Sequence, residues 1–440
     1  MKTRWHDGHQ VRLLENGEDF FPRVFEAIRG ARREVIVETF ILFEDAVGEA
    51  LRDALVAAAR AGASVDLTVD GYGSPAFSPA FLRTLADAGV RVHVFDPRRP
   101  LLGLRTNLFR RLHRKLVVVD GERAFVGGIN YSADHLGDFG PQAKQDYSVE
   151  IVGPVVAEVR AAAQALIGPP RRRWRMPQMR WPRRRADVAP VSASGARVAF
   201  VTRDNGAHAD DIERHYRVAI RAARRRIVIA NAYFLPGYRL LKGLRDAARR
   251  GVEVTLILQG HPDMPWVTAA TRSLYHYLLP AGVRIVEYCR RPFHGKVAVV
   301  DDDWATVGSS NLDPLSLWLN LEANVLIRDA AFNETLHARL DRLAQHDCTP
   351  IDAGDRRAIG GVRAAFGVAL FHLLRHFPRI AGWLPAHAPQ LGRVRKPEVV
   401  AVRDAHTPVP IGELVAPVQP PTPAGPTADG AHAAGGGGRA

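Results

Sequence analysis

The chain is 440 residues long, 47% hydrophobic and 24% charged, roughly three times a typical domain, which excludes a chain disordered throughout. Sixty Lys and Arg against 46 Asp and Glu leave a formal charge of +14 and a pI near 10.3. An anionic partner is expected, either nucleic acid or a membrane surface, and charge alone does not choose between them. Two cysteines, Cys289 and Cys348, exclude a disulfide framework and a structural zinc site and read as buried packing residues of a reduced, cytoplasm-facing protein.

The N-terminal Met1-Lys-Thr-Arg-Trp-His runs into charged residues and lacks the apolar core of a signal peptide. An internal repeat follows. Copy one predicts a helix over 20–32, an apolar run over 34–43, a helix over 47–61 ending at Gly62, and an apolar run over 64–70. Copy two repeats the order at 211–225, 226–234, 238–250 ending at Gly251, and 253–259. Val35-Ile-Val and Ile227-Val-Ile-Ala are rich in β-branched residues and have the length of buried central strands. Leu51, Ala54, Leu55 and Ala58 give the intervening helix one apolar face. Strands alternating with such helices predict an α/β sandwich in each half.

Between the halves, residues 169–190 hold five prolines, eight arginines, Trp174 and Trp181, which predicts an irregular linker. Its Arg171 to Arg185 stretch interleaves guanidiniums with Trp and Met, a composition suited to an anionic lipid interface. Residues 366–383 place Phe366, Leu370, Phe371, Leu373, Leu374, Phe377 and Trp383 on a short helix flanked by Arg363, Arg375 and Arg379, read as an interfacial anchor. The longest uncharged run there, 364–374, is far shorter than the roughly 20 residues of a membrane span. From about residue 402 the chain is Pro-, Ala-, Thr- and Gly-rich, and disorder is expected.

The chemistry sits in one polar cluster per half. His113-Arg-Lys115-Leu-Val-Val-Val-Asp120 continues to Gly127-Gly128-Ile-Asn130; His294-Gly-Lys296-Val-Ala-Val-Val-Asp301 continues to Gly308-Ser309-Ser-Asn311. Both read H-x-K-x4-D-x6-G-[GS]-x-N and align without a gap. His and Lys two apart on a strand project from one face, so one site can receive an imidazole and an ammonium from each copy. The Gly pair permits close backbone approach before Asn offers its amide. Cations and donors without a carboxylate cluster for metal suit a phosphate ester. An attacking histidine needs a carboxylate on its other ring nitrogen; Glu322 lies 28 residues after His294 and Asp146 lies 33 after His113, which suggests one orienting carboxylate within each copy.

At these residues the chain resembles the phospholipase D superfamily, whose signature is this duplicated His-Lys-Asp motif, over about residues 10–345. The resemblance implies two α/β/α sandwich repeats related by a pseudo-two-fold axis, one active site at their interface, a covalent phosphohistidine and no required metal or cofactor. Val37-Glu-Thr-Phe-Ile41, Asp70-Gly-Tyr-Gly-Ser-Pro75, Ala230-Asn-Ala-Tyr-Phe234 and Gly308-Ser-Ser-Asn-Leu-Asp-Pro-Leu-Ser316 are similar to bacterial cardiolipin synthases, in particular the short form without N-terminal membrane helices. This likeness implies that His113 attacks a phosphatidyl donor while protonated His294 serves the leaving alcohol and then, as base, the acceptor. Phosphatidylglycerol, and phosphatidylethanolamine as a further donor, are the implied substrates, and an anionic membrane at the cytoplasmic face of the cell the implied partner, with no nucleic acid.

Lys115, Lys296, Asn130 and Asn311 are the candidates for holding phosphate oxygens. Asp120 and Asp301 belong to the family's catalytic motif, yet the far end of a Val-rich strand places them outside the pocket as structural groups. Glu44-Asp45 and Asp301-Asp302-Asp303 read as solvated turns, His215, His276 and His372 as surface or packing residues, and the Asp70 to Ser74 segment as a strand-end loop near the cleft. The expected organisation is a first repeat over 1–165, a linker over 166–197, a second repeat over 198–348, an amphipathic membrane-associating segment over 349–395 and a tail over 396–440. A nuclease or phosphodiesterase with the same machinery is the rival activity, and a binding scaffold with a dead site the rival class.

Overall fold

The computed structural model describes residues 3–97 apart from 75, 110–168, 195–352 apart from 205–207, 261–264, 315 and 317–318, and the short segments 369, 372–373, 391–394 and 406–415. The Arg171 to Arg185 part of the linker, almost all of the 366–383 segment and most of the tail lie outside the described residues; the described part of the tail is ordered rather than disordered, since Val409 and Pro410 pair with Phe77 and Ala76 and Ile411 is buried in the core of the first repeat.

Repeat one runs β1 (His6–Glu15), α1 (Asn16–Arg29), β2 (Glu34–Thr39), α2 (Ala46–Arg60), β3 (Ser64–Asp70), β4 (Ala76–Phe77), α3 (Pro79–Asp87), β5 (Arg91–Phe95), β6 (Leu116–Val119), β7 (Arg123–Gly127), β8 (Tyr147–Val152) and α4 (Val156–Ile167). Repeat two runs β9 (Ala196–Arg203), α5 (Asp211–Ala222), β10 (Arg226–Asn231), α6 (Tyr238–Arg249), β11 (Glu253–Gln259), α7 (Pro265–Ser273), α8 (Tyr275–Leu278), β12 (Arg284–Tyr288), β13 (Lys296–Val300), β14 (Trp304–Gly308), β15 (Glu322–Arg328), α9 (Ala330–His346) and β16 (Cys348–Pro350). A late strand β17 (Leu391–Arg393) pairs back onto β5. The predicted elements fall within a few residues of these bounds. Local patterning did not predict β1 or β9, whose mixed sequences alternate buried and exposed residues.

Strand order is β16-β12-β11-β10-β13-β14-β15-β9-β1-β8-β7-β6-β2-β3-β5-β17. It reads alike from either end towards the β9–β1 seam, where the antiparallel register shifts between His6 and His9. This is the predicted duplication about a two-fold axis. Within each half the first three core strands (β2-β3-β5, and β10-β11-β12) are parallel and joined by helices, while the motif strands β6 and β13 return antiparallel.

Period-two alternation sorts the strand residues between two cores. Val35 and Val37 of β2 and Val117 and Val119 of β6 face the core beneath α1 to α3. Ile36, Leu116 and Val118 face the other way, into a core shared with Val297, Val299, Val325 and Ile327 of repeat two and with α4 and α9. A valine wholly removed from water contributes about 1.5–3 kcal/mol, and the motif strands gain this on both faces. The segments that carry His113 and His294 are therefore held between the helical layer and the other repeat. The two cysteines are half-buried rather than buried: Cys348 opens β16, opposite Tyr288 of β12, and Cys289 directly follows β12.

Candidate active site

Both motifs lie where a motif strand begins, and each is stitched to the opposite repeat. The His113 amide donates to the Leu321 carbonyl at 3.0 Å and the Leu321 amide to the Arg111 carbonyl at 2.9 Å. Symmetrically, the His294 amide donates to Gln145 at 2.8 Å and the Gln145 amide to Pro292 at 2.9 Å. Leu321 and Gln145 immediately precede Glu322 and Asp146, so these bridges deliver each carboxylate to the histidine of the other copy. His113 Nδ1 lies 3.0 Å from Glu322, and His294 Nδ1 lies 2.6 Å from Asp146. This corrects the expectation of one pair within each copy: the residue types were right and the partners are exchanged.

The carboxylates are fully buried, and their supports differ. Ser309 Oγ donates to Glu322 at 2.5 Å. Its counterpart in copy one is Gly128, where a Cβ would stand 2.3 Å from an Asp146 oxygen. The shorter aspartate reaches its histidine only because glycine leaves that space; the longer glutamate admits serine. The middle residues of the two H-x-K triplets point away from the site, as strand alternation requires. Arg114 makes two hydrogen bonds of 2.9 and 3.0 Å to the buried Glu38, and at Gly295 a Cβ would meet the Phe293 ring at 2.7 Å.

Lys115 and Lys296 are buried beside their histidines. Lys115 Nζ donates to the His113 carbonyl at 2.8 Å, and Lys296 Nζ to that of His294. Phe40 covers one side, its ring 4.9 Å from the His113 ring and 5.3 Å from Lys115 Nζ. Asn130 accepts from the Ile41 amide through Oδ1 at 3.2 Å, leaving a buried Nδ2 with no partner among the described residues. Asn311 is buried with its Oδ1 unpartnered among the described residues. The two lysines thus stand against the motif histidines, while Asn130 and Asn311 are buried with an amide atom unused among the described residues.

Burial sets the protonation of this cluster. It pushes His113 down to about 4, with Glu322 opposing and the lysines adding to the shift. It drives His294 well below the ordinary range, reinforced by Lys296, Lys144 and Lys115. Both shifts favour the neutral imidazole in the ligand-free site, so a protonated His294 has to be stabilised by what binds there. Burial lowers Lys115 to about 7 and Lys296 to about 8, and raises Asp146. For Glu322 burial alone would raise the value, but the His113 and Lys115 charges and the bonds from His113 and Ser309 outweigh it and hold it low.

Asp120 and Asp301 stand apart from these groups, at the far strand ends. Asp120 accepts from the amides of Arg32, Arg33 and Glu34, and Asp301 from those of Arg224, Arg225 and Arg226, at 2.7–3.2 Å. Both have left-handed backbones, φ 53° and 50°. They tie the helix-to-strand corner to the motif strand and touch no reacting group, which removes them from the catalytic set. Glu44 and Asp45 lie in an accessible bend, as expected, and serve helix starts there: Asp45 accepts from Val47 and Gly48, Glu44 from Ser78. The Asp70 loop does border the cleft, since Asp70 accepts from the Leu112 amide at 2.8 Å.

Sequence reasoning missed His135. Wholly buried, it lies five residues past Asn130, accepts the Asn130 amide at Nε2 (3.3 Å), and packs edge-on against His294 with ring centroids 5.7 Å apart. That acceptor role places its proton on Nδ1. Copy two has Ser316 at the equivalent position, so the site is asymmetric on the His294 side; the only sequence signal was a histidine in a loop otherwise unlike its counterpart. His135, Asp146 and His294 bring potential ligand atoms within 4.8 Å of one another.

Comparison with known proteins agrees with this geometry. A family model described as "Cardiolipin synthase, PLD-like domain" matches residues 24–164 and 216–344, once in each half. Cardiolipin synthase B of Salmonella typhimurium is 53% identical over 399 residues, covering 90% of this chain and 95% of the relative; that of Escherichia coli is 51% identical over the same span. Cardiolipin synthase A of Pseudomonas fluorescens is 36% identical over 74% of this chain and 66% of its own length. The solved structure of phosphatidylserine synthase from Haemophilus influenzae superposes with a TM-score of 0.60 at 14% identity, over 85% of this chain and 94% of that one, a likeness of fold. The chain belongs to the phospholipase D-like family of cardiolipin synthase domains, with one such domain in each half.

Proposed function

We propose that the protein is a cardiolipin synthase that moves a phosphatidyl group from phosphatidylglycerol to the glycerol hydroxyl of a second phosphatidylglycerol, releasing glycerol. The observation that carries the reading is the pair of crossed histidine–carboxylate couples over two buried lysines, in a chain half identical to cardiolipin synthases along most of its length. Neutral His113, its Nδ1 bound by Glu322, presents Nε2 to phosphorus. The P–N bond forms as the bond to the glycerol oxygen breaks, and Lys115, Lys296, Asn130 and Asn311 hold the nonbridging oxygens.

The leaving oxygen takes its proton from His294. That imidazole is neutral in the free site because burial and three ammoniums oppose its charge; the phosphodiester anion offsets those ammoniums and lets His294 hold a proton once substrate is bound. In the second half-reaction His294 removes the proton of the acceptor hydroxyl, whose oxygen bonds to phosphorus as the P–N bond breaks. Phosphatidylethanolamine fits as an alternative donor because the same phosphoryl chemistry applies. Peripheral attachment at the cytoplasmic face of an anionic membrane is part of this reading; no helix among the described residues is long and apolar enough to cross a membrane. The linker and the 349–395 segment remain the proposed contacts, flanking repeats over 1–165 and 198–348.

Purified protein incubated with phosphatidylglycerol vesicles and, separately, with plasmid tests the reading. Cardiolipin and glycerol in equal amounts, with an acid-trapped phospho-enzyme lost in His113→Ala, are expected. Nicked plasmid with neither lipid product would overturn it in favour of a nuclease.

A further inference from the structure

Repeat two carries on its outer wall a groove of about 580 Å³ between α5 and α6, lined by none of the motif residues. Its rim is cationic: Arg214, Arg217 and Arg221 come from α5, Arg239 and Lys242 from α6, and Arg250 from the turn after it. Arg214 is neutralised by Asp211 at 2.8 Å, and Asp246, the acidic residue lining the groove, is engaged by Arg245 at 2.7 Å. Arg221, Arg239 and Lys242 are exposed and have no ion-pair partner among the described residues. Arg250 reaches only the carbonyls of Ile220 and Arg221. Between the cations the groove presents Val218, which is 59% exposed.

The fold does not require this charge. The equivalent helices of repeat one, α1 and α2, carry four basic against five acidic residues; α5 and α6 carry seven against three. Both pairs bury an apolar face on their own sheet, so the difference lies on the solvent side. Like charges crowded on neighbouring helix faces repel one another, and an anionic ligand relieves that repulsion. Guanidiniums and an ammonium around an exposed valine match a phosphodiester joined to a glyceryl ester.

We propose that the α5–α6 groove docks headgroup phosphates of anionic phospholipid in a membrane surface, at a site separate from the catalytic cleft. The choice of lipid over other polyanions rests on the phospholipid reading of the active site. Full-length protein is partitioned onto vesicles of phosphatidylcholine with 30 mol% phosphatidylglycerol, comparing wild type, the triple variant Arg221→Gln, Arg239→Gln, Lys242→Gln, and a control triple Arg29→Gln, Arg60→Gln, Arg342→Gln. Three basic residues near such a surface contribute about 100-fold in partitioning. The groove variant should lose about that much, with the control close to wild type and circular dichroism unchanged in both. Turnover of short-chain phosphatidylglycerol in detergent micelles should be equal in all three. Wild-type partitioning by the groove variant would overturn the proposal, as would unchanged vesicle binding with lost binding to a DNA duplex, which would assign the groove to nucleic acid. Absence of micellar turnover in wild type would sink the activity instead and leave the partition result readable.

Discussion

Lys115→Met isolates the cost of keeping an ammonium inside the site. Burial pushes that amine from 10.5 to about 7, and every tenfold gain in the acidity of a group corresponds to about 1.4 kcal/mol. Carrying the charge at pH 6.5 therefore costs the fold about 4–5 kcal/mol. Between about pH 7 and 10.5 the native amine has released a proton that the unfolded chain still holds, so stability rises with pH across that window. By pH 9.5 about 3 kcal/mol of the cost has gone. Methionine fills a similar volume without the charge, forfeits the bond to the His113 carbonyl, about 1 kcal/mol, and leaves Glu322 and Asp146 with one cation fewer. The variant should thus be about 1–3 kcal/mol more stable than wild type at pH 6.5 and no more stable at pH 9.5, while turnover falls at least ~100-fold at both. Urea unfolding at the two pH values, with lipid product assayed in parallel, measures this. A variant-minus-wild-type difference that stays constant with pH would show that the lysine titrates normally and would refute the reasoning.

The crossed pairing predicts that His113→Ala and Glu322→Gln are strongly non-additive in turnover, as are His294→Ala and Asp146→Asn, each single change costing about 10²–10⁴-fold; the same-copy combinations in a double-mutant cycle should show no such coupling. Gly128→Ala drives a methyl into Asp146 and should destabilise by about 1–3 kcal/mol with loss of turnover, whereas Ser309→Gly, which only removes one donor from Glu322, should remain folded and lose about 10-fold, as thermal melts and product assays would report. Asp120→Ala and Asp301→Ala should each cost about 1–3 kcal/mol in urea unfolding by orphaning backbone amides, with the kcat of the folded fraction within about threefold of wild type. A collapse of kcat in a fully folded protein would return these aspartates to the chemistry.

The duplicated motif, the α/β units and the identities of Glu322 and Asp146 were legible because each is written locally. Strand and helix periods declare which residues share a face, and eighteen aligned positions declare the duplication. Partner choice was not legible in that way. Asp146 follows His113 by 33 residues along the chain, yet the bridges between Gln145 and Phe293 and between Leu112 and Leu321 carry each carboxylate across the two-fold axis. No spacing within one repeat encodes a contact made by the other. His135 was hidden for a related reason, since its role comes from the ring it packs against rather than from any period in its loop.

Sequence by itself therefore determined that two equivalent strand ends would each supply an imidazole, an ammonium and an amide, and that their Val-rich bodies would be buried. Only the tertiary structure decided that the repeats exchange carboxylates, that burial disfavours the charged forms of both histidines and both lysines before substrate arrives, and that one outer wall gathers cations while its counterpart does not. The physical reason is that protonation and pairing depend on what surrounds a group in space. Here the surroundings of each motif are supplied by the opposite half of the chain.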